Sequence, residues 1–200
     1  MLASITPLGE RSRRSRWGVT FAWFVTGATA GGAAIGAVLG GVSELLNRGL
    51  SPSTEVRACT VAAVLAIAAA WDLQVIRWSL PTTRRQVNAY WIGHYRGWVV
   101  GLGFGFQLGL GIGTIASTAL VYAILLAAVL AGSLVAGLAI GVAFGLARAL
   151  ALLPASRITT PARLFEMSSW VAEHESRASR CASTVALLCA GALIISSLSL

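Results

Sequence analysis

The chain has 200 residues, 56% of them hydrophobic and only 11% charged, with 22 glycines, a composition that excludes an ordinary soluble domain and belongs in lipid. Its formal charge of +8 comes from 15 basic residues, all arginine, set in short clusters between apolar runs rather than along one polar face, so a lipid bilayer and not nucleic acid is the expected partner. With no lysine, phosphate-loop, Schiff-base and lysine general-base chemistry are all removed.

The first apolar run follows Arg11, Arg13, Arg14 and Arg16 and extends over about 17–42. It is longer than the ~7–15 residues of a signal-peptide core, and too long for a twin-arginine export signal, so it predicts an uncleaved spanning helix. A turn marked by Asn47, Gly49 and Pro52 leads to a second span over about 56–76, which ends at Arg77 and Pro81. The apolar block from Trp98 to Leu153 is too long for one crossing at ~20 residues each. It is divided at Ala131, Gly132 and Ser133 into spans over 98–128 and 134–153, and a last span covers 181–198.

Arginine placement gives this topology an orientation. With the N-terminus inside, the cytoplasmic segments carry Arg11, Arg13, Arg14, Arg16, Arg77, Arg84, Arg85, Arg96, Arg148, Arg157, Arg163, Arg177 and Arg180, and the opposite side carries Arg48 and Arg57. The expected fold is therefore all-α, a polytopic integral membrane helical bundle of about five transmembrane helices with a cytoplasmic N-terminus and a single domain over 1–200.

Two cytoplasmic segments read as more than linkers. Residues 82–97 mix arginine with Tyr90, Trp91 and Tyr95, the composition of a chain lying at the headgroup level. In 160–180, Thr160 is placed to cap a helix with Pro161 at its first position, Leu164, Met167 and Val171 share a face, and Glu173 can pair with Arg177. Each segment reads either as a docking surface or gate, or as an interfacial anchor.

Within the spans the most informative pattern is glycine at every fourth position: Gly32, Gly36 and Gly40 in the first, Gly101, Gly105, Gly109 and Gly113 in the third, Gly137, Gly141 and Gly145 in the fourth. Such a ladder, a glycine zipper, gives a helix a smooth face on which a neighbour's backbone can approach closely. It serves packing, or sliding during a transport cycle. The Gly-x-Gly repeats of 101–113 match no dinucleotide fingerprint. Polar residues at membrane depth are Thr26 and Thr29, then Asp72 and Gln74, then Gln107, Thr114, Ser117 and Thr118. Asp72 stands out, since an ionisable group in a span is costly and marks function by default, although Arg77 is near enough in sequence to pair with it. Cys59 stands apart, and Cys181 and Cys189 are about 12 Å apart along one helix, too far for a disulfide. All three read as buried small hydrophobes, with a redox role for Cys181 and Cys189 as the alternative. His94 and His174 lack a metal-ligand set, and the carboxylates are scattered, so no metal, no cofactor and no enzymatic activity are expected.

The stretch from Gly97 to Leu153, GWVVGLGFGFQLGLGIGTIASTALVYAILLAAVLAGSLVAGLAIGVAFGLARALALL, resembles the second half of the cytochrome c biogenesis transmembrane (CcdA/DsbD-type) family, which includes the membrane domain of a thiol:disulfide interchange reductase. Phe21–Leu46 with Val56–Trp78 is similar to the last two helices of that family's first repeat. The resemblance implies a bundle that keeps five of six helices and lacks the first. Where the family carries Thr-Pro-Cys-Ile-Gly-Pro, this chain has Leu-Gly-Leu-Gly-Ile-Gly-Thr with Gly111 near the cysteine position. The resemblance thus implies a degenerate member without the redox cysteines, and thiol exchange is not carried over with the fold.

Two functions are expected from this reading. One is a small transporter or transporter subunit, its path lined by a broken third span at Gln107, Gly109, Gly111, Gly113, Thr114 and Thr118; these residues and Asp72 are the candidates for a transport path or for helix packing. The other is a scaffold or accessory subunit whose glycine faces dock another membrane protein or a second copy of the chain. Arginine without lysine, with abundant alanine and glycine, points to a GC-rich bacterial genome and a multi-pass protein of the plasma membrane.

Overall fold

The computed structural model describes residues 6–8, 16–50, 52–76, 96–111 and 118–198. Among them lie six α-helices and no strand: α1 Trp17–Leu50, α2 Thr54–Asp72, α3 Gly97–Leu110, α4 Leu120–Leu130, α5 Leu134–Leu150 and α6 Pro161–Leu198, with a 3-10 turn at Leu153–Arg157 before α6. Four segments, led by α1, α2, α5 and α6, are long and apolar enough to cross a membrane, and the fold is an all-α membrane bundle.

Local chemistry explains where the helices end. α1 runs past the apolar stretch to Leu50 because Glu44 and Arg48 pair one turn apart at 3.1 Å and carry the helix through its polar end. α2 starts where the Ser53 hydroxyl accepts the Val56 N–H, and it stops at Asp72, after which Gln74 turns the chain at φ 59°. Residues 160–180 and 181–198 are one continuous helix rather than an interfacial segment followed by a span. Nothing interrupts them, since no proline or glycine occurs between Ala162 and Ala190. Thr160 caps its start, accepting the Arg163 N–H. Glu173 and Arg177 do not pair there; both are exposed, where such a pair gains little.

The largest departure from the sequence reading is in 98–128. Instead of one span there are two short helices, α3 of 14 residues and α4 of 11, about 21 and 17 Å long, each below the ~30 Å of a hydrocarbon core. α3 stops because Gly111 adopts the left-handed conformation, φ 73° and ψ −24°, which cannot continue a helix and favours glycine.

The chain divides into two compact units. The first draws on residues 1–35, 83–115 and 141–173, and its core is Phe24, Ala28, Val100, Phe104 and Ala149. Here α1 and α3 run parallel at backbone contact: a Cβ on Gly101, Gly105 or Gly109 would collide with the carbonyl of Thr20, Phe24 or Ala28, and one on Gly27 or Gly31 with that of Leu102 or Phe106. α5 crosses the same helix antiparallel, Gly32 against the Gly141 carbonyl and Gly145 against that of Ala28. Aromatic pairs close the unit, Trp17 on Phe21 at 4.9 Å and Trp23 by Trp98 at 5.6 Å.

The second unit draws on residues 36–82, 116–140 and 174–200. α2 and α4 pack through Ala68, Ala119 and Ala123, flanked by Val64, Leu65, Trp71 and Leu120. The α4–α5 turn at Ala131, Gly132 and Ser133 is held against α1: the Gly132 N–H donates to the Ser43 hydroxyl at 2.7 Å, and Asn47 Nδ2 donates to the Gly132 carbonyl at 3.4 Å. Gly40 and Gly137 meet in the same unit, where α5 begins beside α1.

Candidate functional site

Interrupting a helix leaves the last four carbonyls of one half and the first four N–H groups of the next without intrahelical partners. In a bilayer these groups must be satisfied by protein, since no lipid atom can do it. Within its own unit, each of the two helix ends that flank residues 112–117 meets a charged side chain.

On the α3 side, in the first unit, the carbonyl of Leu108 in the last turn accepts a hydrogen bond from Arg148 Nη1 at 2.9 Å, besides the Gly111 N–H at 3.2 Å. Arg148 stands in the last turn of α5, half-buried, with its guanidinium 5.3 Å from the centre of the Phe144 ring one turn earlier. A cation at the negative end of the α3 dipole is in its favourable place. Gly111 lies beneath this pair: a Cβ there would come within 3.1 Å of the Phe144 ring.

On the α4 side, in the second unit, the first helical N–H groups meet a carboxylate. Asp72, the last residue of α2, accepts the Ala119 N–H through Oδ1 at 2.6 Å, an anion at the positive end of the α4 dipole. Its Oδ2 is buried and has no hydrogen-bond partner among the described residues. Ser179 of α6 donates to the Asp72 backbone carbonyl at 3.4 Å, and one turn further along α6 the fully buried Ser183 hydroxyl also has no partner among the described residues.

The residues singled out from the sequence fall as follows. Gly111 is at the helix break, and Asp72 is at the start of the half-helix beyond it. Gly109 is buried against the Ala28 backbone. Gln107 is half-buried on α3 and Thr118 half-buried just before α4. Gly113, Thr114 and Ser117 lie outside the described residues, as do Arg77, the expected partner of Asp72, and all but the end of the 82–97 segment. Thr26 and Thr29 each donate their hydroxyl to the carbonyl four residues back in their own helix, Ala22 at 2.9 Å and Val25 at 2.8 Å. The cysteines are a correction: Cys59, Cys181 and Cys189 are all exposed on the outer faces of their helices, where lipid supplies the apolar surroundings that a core was expected to give.

Arg148 was counted from the sequence only as a cytoplasmic charge. The rule that drew attention to Asp72 applies to it equally, since it sits inside the apolar run Leu134–Leu153.

Comparison with protein-family models, with curated proteins and with solved structures gives no match for the chain. The resemblance of Gly97–Leu153 to the cytochrome c biogenesis transmembrane family therefore stands on those residues alone.

Proposed function

We propose that the chain is a multi-pass bacterial plasma-membrane protein, N-terminus inside, that acts as a small transporter or the membrane subunit of one. The observation that carries this reading is Asp72, a carboxylate that ends an apolar helix and meets the N–H end of α4, while its buried Oδ2 has no hydrogen-bond partner among the described residues. Helix N-terminal ends turned to charged groups are how carriers build solute sites in lipid. The role is one of binding and passage rather than of catalysis. The arginine distribution supports the orientation.

The glycine faces argue for the same reading. A scaffold that docked a partner helix on them would need them open, yet Gly27, Gly31, Gly101, Gly105 and Gly109 are filled by the chain's own backbone. What favours the accessory-subunit alternative is α6, 38 residues and about 57 Å long, which exceeds a ~30 Å bilayer and exposes Phe165 and Trp170 in its first half.

The experiment is purification in mild detergent, with bound small molecules and partner proteins identified by native mass spectrometry. The expected result is a co-purifying solute whose retention falls in Asp72→Asn while the protein stays folded. A stoichiometric membrane partner with no solute would replace the transporter by the accessory subunit.

A further inference from the structure

In the second unit, the turn after α4 closes a half-open cavity of about 120 Å³ lined by Ser43, Asn47, Pro52, Arg57, Leu130 and Gly132. Among the described residues its one cation is Arg57, whose Nε and Nη2 both donate to the Pro52 carbonyl, at 3.2 and 3.0 Å, so the guanidinium is fixed in direction before any ligand arrives. Gly132 leaves room for it: φ is 80°, and a Cβ there would collide with Arg57 Nη1. Arg48, the other arginine of this end, is exposed and neutralised by Glu44 at 3.1 Å, whereas Arg57 forms no ion pair among the described residues. Leu45, Leu46 and Val56, on the helices that flank the cavity, are exposed large apolar side chains, a surface suited to acyl chains beside it.

We propose that this cavity binds a phosphate group, with Arg57 as its cation and the headgroup of an anionic phospholipid as its source. A guanidinium held by two of its N–H groups still presents a planar edge that suits phosphate oxygens, and a charge-assisted contact at the headgroup boundary is strong because little water competes for it. The volume admits a phosphate but no large solute, and its apolar walls continue toward the lipid. The site is separate from the helix break and does not depend on the transporter reading.

The test is native mass spectrometry of delipidated full-length protein titrated with phosphatidylglycerol, phosphatidylcholine or inorganic phosphate. The expected result is one phosphatidylglycerol held in preference to phosphatidylcholine, with affinity reduced about tenfold in Arg57→Ala and unchanged in Arg48→Ala. Equal retention by wild type and Arg57→Ala, or an equal loss in Arg48→Ala, overturns the site. Arg57-dependent binding of inorganic phosphate without preference between the two lipids overturns the lipid as the source. If Arg57→Ala does not fold, Arg57→Lys, which keeps the charge but loses the double hold on Pro52, and the wild-type contrast between the two lipids decide the matter.

Discussion

The Asp72 carboxylate caps α4 from another helix, its Oδ1 accepting the Ala119 N–H at 2.6 Å. Ala119 has no side chain able to cap, so the cap that Ser53 gives to α2 locally is here supplied across the packing of α2 on α4. Asp72→Ala should destabilise the protein by about 1–2 kcal/mol, within the range of lost N-caps. Asp72→Asn, which keeps an acceptor but loses the charge, should cost less. Denaturation in mixed micelles monitored by circular dichroism reads both, and an Asn variant as damaged as the Ala variant would show that the charge and not the hydrogen bond matters.

Gly105 and Gly41 make a second prediction because the same substitution should have opposite outcomes. A Cβ at Gly105 falls on the Phe24 carbonyl, which is backbone and cannot give way, while Gly41 has open space around it. Gly105→Ala should cost about 1–3 kcal/mol through overpacking, and Gly41→Ala should be neutral or stabilising by about 0.5–1 kcal/mol through its better helix propensity. Thermal unfolding of the two variants side by side is sufficient.

How much of this was legible in the sequence depends on the range of the interaction. The glycine ladders predicted close helix contact, since spacing by four is a local property of one helix, but their partners were not, because Thr20, Phe24 and Ala28 carry no sign in the sequence that their carbonyls receive a neighbour. The helices themselves were visible as apolar runs. A break in 98–128 was expected from its glycines but not its position, because glycine at 101, 103, 105, 109, 111 and 113 gives no local reason why the left-handed turn falls at Gly111 and not at another. What distinguishes Gly111 is the Phe144 ring and Arg148, both contributed by α5 more than thirty residues later. For the same reason the Asp72 partner could be guessed only as the nearby Arg77, while the bond actually formed reaches across 47 positions.

Gly111 itself supplies a third prediction. Any other residue must adopt φ 73° against the ordinary preference of L-amino acids, at about 1–2 kcal/mol, and must also fit a Cβ at 3.1 Å from the Phe144 ring. Gly111→Ala should therefore destabilise the protein. Adding Phe144→Leu should recover only the steric part, so a double variant restored fully to wild-type stability would show that the left-handed turn had not been holding the break.

Arg148 gives the last prediction, and it separates charge from geometry. The guanidinium reaches the Leu108 carbonyl from one turn beyond Phe144 and lies 5.3 Å from that ring's centre, so it satisfies a helix end and shields its own charge with one side chain. Arg148→Leu removes this charge-assisted donor and leaves the Leu108 carbonyl only the Gly111 N–H, at a cost of about 1–2 kcal/mol. Arg148→Lys restores a cation but not the planar group that stacks on a ring while donating at its edge, so it should fall between Leu and Arg. Amide hydrogen exchange in α3 is the measurement: faster exchange in the last turn of α3, in the order Leu, Lys, Arg, is expected if Arg148 holds that end. Uniform exchange across the three proteins would mean that Gly111 alone terminates the helix and that the arginine at this depth is retained for something other than the fold.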